Sequence, residues 1–226
     1  MSHILDNPIY HALESNHHHL SFGTDDIKLY HQDFTAFAGF KTYTSENFNA
    51  LQEISDGKNV HVLFTTQPIT PLDEWEIVHT IDMHQMIYDQ EVAPDKLGTN
   101  IIELDSEHVQ QMTDLVDLTK PGPFLSRTIE LGNYIGIFDN GKLVSMMGQR
   151  LNPYSYVEIS AVCTHPEHLG KGYAKMLLIE QIRRITGGNY VPFLHVEKTN
   201  HSAVKLYEKV GFRLRLEMYA TVLKKR

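Results

Sequence analysis

The stretch "VCTHPEHLGKGYAK", residues 162–175, runs from a β-branched segment through Pro166 to Gly170 and Gly172, and on into a helical pattern. A helix start leaves four backbone N–H groups without intrahelical partners, and the macrodipole makes that end favourable for an anion. Glycine lets the chain wrap closely around a phosphate, because no Cβ blocks the approach. Strand, glycines and helix in this order have the composition of a diphosphate cradle; two glycines alone also fit an ordinary tight turn. Other phosphate motifs fail. A P-loop needs glycine five residues before Gly170, where His165 stands, and a Ser or Thr after the Gly-Lys, where none follows. A dinucleotide fingerprint needs glycine at 175, where Lys175 stands.

Upstream of this stretch, "YVEISAVCT" (156–164) reads as a long, mostly apolar strand, and "NYIGIFDNGKLVSMMGQRL" (133–151) as a β-hairpin turning at Asp139-Asn140-Gly141. "NIIEL" is a short strand, and "SEHVQQMTDLVDLT" is a helix with Val109, Met112, Leu115 and Val116 on one stripe. Downstream, the glycines open a helix whose apolar face is Ala174, Leu177, Leu178, Ile182 and Ile185. "VPFLHV" is a buried strand, "NHSAVKLYEKVG" a helix capped by Asn200 and stopped by Gly211, and "RLRLEMYATVL" a closing strand.

The first hundred residues read differently. "DIKLYH" (26–31), "NVHVLFTT" (59–66) and "WEIVHTI" (75–81) have strand composition, and "SENFNALQEIS" (45–55) is a helix with Ser45 at its cap. The polar segment "DQEVAPDKLGTN" (89–100) marks a boundary, giving an N-terminal α/β domain over 1–97 and a second domain over 98–226. The N-terminal part carries no chemical motif.

Composition bounds the function. In 226 residues, 42% are hydrophobic and 21% charged, the balance of a globular protein. No apolar run approaches the ~18 residues of a membrane span, and the start has neither the basic region nor the apolar core of a secretory signal. One cysteine, Cys163, suits a reducing compartment, so a cytoplasmic enzyme is expected. Residues 1–100 hold four Lys and Arg against fifteen Asp and Glu, whereas the rest is mildly basic. That distribution argues against a nucleic-acid binder and suits a phosphorylated cofactor in the second half. The acidic first half attracts a cationic substrate or is simply solvated surface.

Residues 156–213 resemble the cofactor-binding core of the GNAT superfamily, the acyl-CoA-dependent N-acetyltransferases. That family's loop pattern, [Q/R]-x-x-G-x-[G/A], is met by Leu169-Gly170-Lys171-Gly172-Tyr173-Ala174 except at Leu169. Its second signature, N-x-x-A-x-x-L-Y-x-x-x-G-F, is matched without a gap by Asn200, Ala203, Leu206, Tyr207, Gly211 and Phe212. The wording looks closest to the branch near the glycine N-acyltransferases and extends upstream through "GPFLSRTIELGNYIGI". The first hundred residues resemble an extra domain of some bacterial members.

The resemblance implies a C-terminal GNAT fold, a mixed and mostly antiparallel sheet flanked by helices, behind a smaller α/β domain that is read as a degenerate GNAT-like half. It implies acetyl-CoA as donor. Backbone groups of Val162, Cys163 and Thr164 would hold the pantetheine arm, those of Gly170, Lys171, Gly172, Tyr173, Ala174 and Lys175 the pyrophosphate, and Asn200 the arm again, with helix capping as its plainer role. Tyr207 matches the tyrosine that protonates the departing thiolate, although it also shares an apolar helix face with Ala203 and Leu206. Glu158 and His195 stand where members carry a base, and a histidine's ordinary pKa suits neutral pH. Either is equally read as a buried structural residue.

Cys163 could suggest a ping-pong acyl-enzyme, but a single cysteine on an apolar strand is read as packing. The histidines at 17–19 and the pair His165/His168 lack zinc-ligand spacing, so no metal is expected. The expected function is acetyl transfer to a small-molecule or peptide amine, in a monomer or homodimer, without nucleic acid or membrane. A longer acyl donor, an amino-acid acceptor, and a non-catalytic CoA-binding regulator are the alternatives.

Overall fold

A computed structural model describes residues 3–98 and 100–226. In chain order come α1 (Pro8–Glu14), short strands β1 (Ser21–Gly23), β2 (Ile27–Tyr30) and β3 (Ala38–Phe40), and α2 (Ser45–Ile54). β4 (Val60–Thr65), the long β5 (Trp75–Ile87) and β6 (Ile102–Glu103) follow, then α3 (Val109–Thr119), β7 (Ile135–Asp139) and β8 (Lys142–Gln149). The chain closes with β9 (Tyr156–Thr164), α4 (Tyr173–Gly187), β10 (Val191–Glu197), α5 (His201–Val210) and β11 (Arg213–Lys225). No helix among the described residues is long and apolar enough to cross a membrane.

Eight strands form one sheet in the order β4-β11-β5-β10-β9-β8-β7-β6, while β1, β2 and β3 make a small antiparallel sheet of their own. In the large sheet β10 and β9 run parallel and every other neighbouring pair antiparallel. The β7–β8 hairpin turns where expected, with Asn140 and Gly141 both at positive φ.

Alternation along β9 and β10 assigns the two faces. Val157, Ile159, Leu194 and Val196 pack with Leu177, Leu178, Ile182 and Ile185 of α4 and Tyr207 of α5. Each such buried aliphatic side chain contributes roughly 1.5–3 kcal/mol of transfer free energy, which holds both helices to this face. Phe193 lies on the opposite face, with Ile9 and Leu13 of α1, Tyr30, Phe37 and Phe64. α3 covers the same side further along, through Met112, Leu115 and Val116 against Met146 and Cys163.

Two expectations need correction. The division at 97/98 does not separate two sheets: β5 pairs with both β10 and β11, and β4 extends the sheet beyond β11. The apolar alternation of β5 continues past residue 81 to Ile87, giving it the length to bridge both partners. The cap of α2 is Thr44, whose hydroxyl accepts from Asn47 N–H, rather than Ser45, which is the first helical residue.

Buried histidines make this packing sensitive to acid. His17, bonded through Nδ1 to the Tyr30 hydroxyl at 2.7 Å, and His61, bonded through Nε2 to the Ser55 hydroxyl at 3.0 Å, are each lowered by burial to about 4. Between 6.5 and that value the unfolded chain takes up protons that the folded chain refuses. Their stabilisation is therefore complete above pH 6.5 and is lost as pH falls toward 4, on the order of 3 kcal/mol for each. Calorimetric melting should show Tm falling across that window, and His17→Gln should flatten the fall; a pH-independent Tm would contradict the burial.

Candidate active site

β9 and β10 are paired only through Tyr156–Glu158 and Val191–Phe193, with Glu158 opposite Phe193 as the last partners. Beyond that point β9 stays with β8 and β10 with β5, so the two parallel strands part like a fork. On the β8 side a bulge sets Ala161 and Val162 against Met147, and Ala161 is driven to φ 53°, a conformation rare outside glycine. The bulge bends β9 away and leaves an open edge along its last residues. His165 N–H donates to Val144 at 2.8 Å and the Ser145 hydroxyl to the Cys163 carbonyl at 3.0 Å. Cys163 thus turns its backbone to β8, whereas Val162 and Thr164, alternating with it, turn theirs to the fork.

The fork opens toward the glycine stretch. Gly170 and Gly172 adopt φ 77° and 81°, and a Cβ at either would meet nothing within 4 Å. Among the described residues, none of the backbone N–H groups from Gly170 through Lys175 has a protein partner, and the first bond of the helix is Met176 N–H to Gly172 at 3.0 Å. Six successive free donors at the start of a fifteen-residue helix fit a diphosphate and need no side chain at Leu169, which is exposed.

Tyr207 lies on the α4/α5 face in one cluster with Leu194 and Val196, the residues of β10 just past the fork. Burial raises its phenol far above the ordinary range, so it stays protonated, and its hydroxyl has no hydrogen-bond partner among the described residues. Asn200 caps α5, its Oδ1 accepting from Ala203 N–H at 3.2 Å and the Ser202 hydroxyl at 3.0 Å. Its amide nitrogen remains available.

Glu158 and His195 are brought together, on the opposite face. Glu158 Oε1 lies 2.6 Å from His195 Nδ1 and 2.6 Å from Arg150 Nη2, while Oε2 accepts from Arg150 Nε at 2.9 Å. Burial pushes the Glu158 pKa up, but the Arg150 guanidinium and His195 outweigh it and bring the carboxyl down to about 2. An ionised Glu158 makes His195 Nδ1 the donor, so Nε2 accepts from the Gln85 amide at 2.9 Å. Burial lowers the His195 pKa, which keeps the ring neutral. Gln85 is held in turn by Arg215 and donates to the Leu5 carbonyl at 2.8 Å. Both side chains expected as bases are thus fully enclosed, and a carboxylate at about 2 is a poor proton acceptor near neutrality.

The residue that the sequence reading missed is Arg150. Its N–H donates to the Glu158 carbonyl at 3.0 Å, because the β8–β9 connection folds them opposite each other. Continuing the strand register past Gln149↔Ile159 would have revealed that pairing. Arg150 also lines a shallow recess, open to solvent and with room for only about 30 Å³ of water, with Phe124, Thr128, Tyr134, Ser160 and Ala161. The recess meets the fork at the bulge. A wider recess between α3 and the β7–β8 turn, walled by Asp114, Asp139, Lys142 and His168, includes none of the fork residues.

Comparisons with known proteins agree with this geometry. A family model described as FR47-like protein matches residues 134–221, which span the hairpin, the fork, the glycine stretch and most of the last strand. The structure of a GNAT-family protein from Novosphingobium aromaticivorans DSM 12444 superposes with a TM-score of 0.93 at 30% identity, over 100% of both chains. A GCN5-related N-acetyltransferase from Kribbella flavida has a TM-score of 0.63 at 11% identity, covering 96% of this chain and 94% of that one. A GCN5-related N-acetyltransferase-like protein from Streptococcus suis 89/1591 has a TM-score of 0.57 at 18% identity, covering 96% and 92%. Curated proteins yielded no match.

Gly172→Val should strain the positive φ and place methyls in the open cradle. Calorimetric titration with coenzyme A is expected to show at least about a tenfold loss of affinity, or 1.4 kcal/mol. Unchanged affinity would mean that the glycines form only a turn.

Proposed function

The chain belongs to the GNAT family, and from that premise we propose that it transfers an acetyl group from acetyl-CoA to an amine by direct attack within a ternary complex. The observation that carries this reading is the fork itself. It is an unpaired strand edge ending on six free N–H groups, with a protonated tyrosine on one face and a recess on the other.

In this reading the pyrophosphate is held by the backbone of Gly170 through Lys175, and the pantetheine amides bond to Val162 and Thr164 along the open edge of β9. Cys163 contributes position only, since its carbonyl is taken, and burial raises its thiol to about 11, leaving it protonated and unsuited to a covalent acyl-enzyme. Asn200 supports the arm through the amide nitrogen that its capping role leaves over. The thioester then lies in the fork beside the bulge.

The neutral amine nitrogen attacks the thioester carbonyl from the recess. An N–C bond forms, the carbonyl becomes an oxyanion, and the nitrogen sheds a proton to water in the open recess. Collapse re-forms the carbonyl and breaks the C–S bond, and the leaving sulfur takes the hydroxyl proton of Tyr207. The products are an N-acetylated amine and coenzyme A, and Tyr207 recovers its proton from solvent. A phenol with a raised pKa is suited to this step because it is always loaded near neutral pH. Glu158, ion-paired to Arg150, and His195, hydrogen-bonded to Glu158, are both enclosed and are assigned no proton transfer.

Tyr207→Phe keeps the ring packing and removes only the proton. Followed as thiol release with a panel of amines, turnover is expected to fall by about 10²-fold or more while acetyl-CoA affinity stays nearly constant. Wild-type turnover in this variant would remove Tyr207 from the mechanism.

A further inference from the structure

Six free N–H groups can hold a diphosphate only if they point at one place, and the residues that carry them have few means of fixing their aim. Gly170 and Gly172 have no side chain, α4 has no side-chain cap at Gly172, and the Leu169 side chain stands in solvent at 66% exposure. Glycine gives up more conformational freedom on ordering than any other residue. A cradle left mobile until its ligand arrives would lose that freedom at the binding step and bind more weakly.

The chain just before the glycines is, by contrast, fully bonded. His165 N–H donates to the Val144 carbonyl at 2.8 Å, Glu167 N–H to His165 Nδ1 at 3.2 Å, His168 N–H to the His165 carbonyl at 2.8 Å, and Leu169 N–H to the Pro166 carbonyl at 3.3 Å. This turn ends in His168, whose side chain reaches in two directions. Nε2 donates to Oδ2 of Asp139, at the end of β7, at 2.9 Å. The ring also stacks on Tyr173, the first residue of α4, with centroids 6.3 Å apart and planes inclined by 25°. Tyr173 packs in turn against the core cluster beneath α4. One imidazole thus joins a strand of the main sheet to the chain on the far side of both glycines. Its Nδ1 is buried without a partner among the described residues, so the bond to Asp139 is what sets the ring's orientation.

We propose that His168 and Asp139 are positioning residues for coenzyme A, bracing the glycine stretch from the β7–β8 side so that the free N–H groups of Gly170 through Lys175 are aimed before the ligand arrives. The identity of the ligand rests on the acetyl-transfer reading above. Both residues act through the backbone, and neither moves a proton. Their loss lowers affinity for the donor and spares the chemistry at the thioester, because Tyr207 and the fork are held by other contacts. An ordinary surface pair would behave otherwise: with Asp139 41% exposed, it would contribute little to folding and nothing to binding.

Calorimetric titration with coenzyme A tests this on the wild type and four variants. Asp139→Ala removes the acceptor, His168→Phe keeps a flat ring against Tyr173 and removes the donor, and the double variant removes both. Asp139→Asn keeps a side-chain oxygen that can accept. Asp139→Ala and His168→Phe are each expected to weaken binding about tenfold, and the double variant by no more than either alone, because all three break one contact. Asp139→Asn should stay within about twofold of the wild type. With any amine that is turned over, KM for acetyl-CoA should rise in step while kcat stays within about twofold.

Unchanged affinity in Asp139→Ala overturns the proposal, and that variant, at a part-exposed position, carries the test alone if His168→Phe does not fold. Additive losses in the double variant, or a loss in Asp139→Asn equal to that in Asp139→Ala, overturn it as well. A wild-type chain that binds coenzyme A with the expected variant pattern but acetylates no amine would sustain the brace and refute the transfer reading. A wild-type chain that does not bind coenzyme A overturns both.

Discussion

Glu158 sits at the last paired residue before β9 and β10 part, and the carboxylate it buries there constrains the rest of the molecule. An ionised group with no solvent exposure is tolerable only if its oxygens are fully bonded, and breaking such a pair costs roughly 3–5 kcal/mol. Arg150 from the end of β8 and His195 from β10 supply those bonds, which ties three strands together at the crotch of the fork. Gln85 of β5 and Arg215 of β11 extend the same network, with Arg215 bonded to Asp6 at 2.6 Å. Water must be kept from it, and that is the structural task of α1, Tyr30, Phe37 and Phe64. The N-terminal segment is thus not an appendage to the fork but its seal.

The same constraint explains where sequence reading succeeds. The C-terminal elements are local objects: a β-hairpin with Asn140-Gly141 at its turn, a fifteen-residue helix with one apolar stripe, a capped helix stopped by Gly211. Periodicity and cap chemistry act within a few residues, so they can be read directly. The turn before α4 was legible for the same reason, since its positive φ angles fall on two glycines one residue apart. Asn200 and Tyr207 were placed at the cap and on the buried face of one helix by spacing alone.

What was not legible depends on distant partners. Nothing in "WEIVHTIDMHQMI" specifies that this strand enters between β10 and β11, because strand propensity carries no address. A boundary placed by composition at 97/98 therefore cut through one sheet. Glu158 and His195 were singled out by their positions, yet their state is set by Arg150 and Gln85, which lie far away or across a turn. A carboxylate's pKa is decided by the residues that fold against it. Spacing can locate a carboxyl group on a strand and still not tell an exposed one from one enclosed in an ion pair.

The two faces of the sheet give the proposed reaction its direction. Tyr207 belongs to the α4/α5 face and Arg150 to the face covered by α3 and the N-terminal segment. In the tetrahedral intermediate of that reaction the attacking nitrogen and the departing sulfur are separate substituents of one carbon, so each can be met by its own group. A fork between parallel strands allows this, because both faces of the sheet have access to what lies in the gap. The amine is delivered through the recess beside the bulge, and the sulfur is met by a phenol from behind. Burial raises the pKa of both groups, and their partners decide the outcome. At Tyr207 no charge opposes it and the phenol stays protonated, whereas at Glu158 the Arg150 guanidinium and His195 outweigh it and the carboxylate stays ionised.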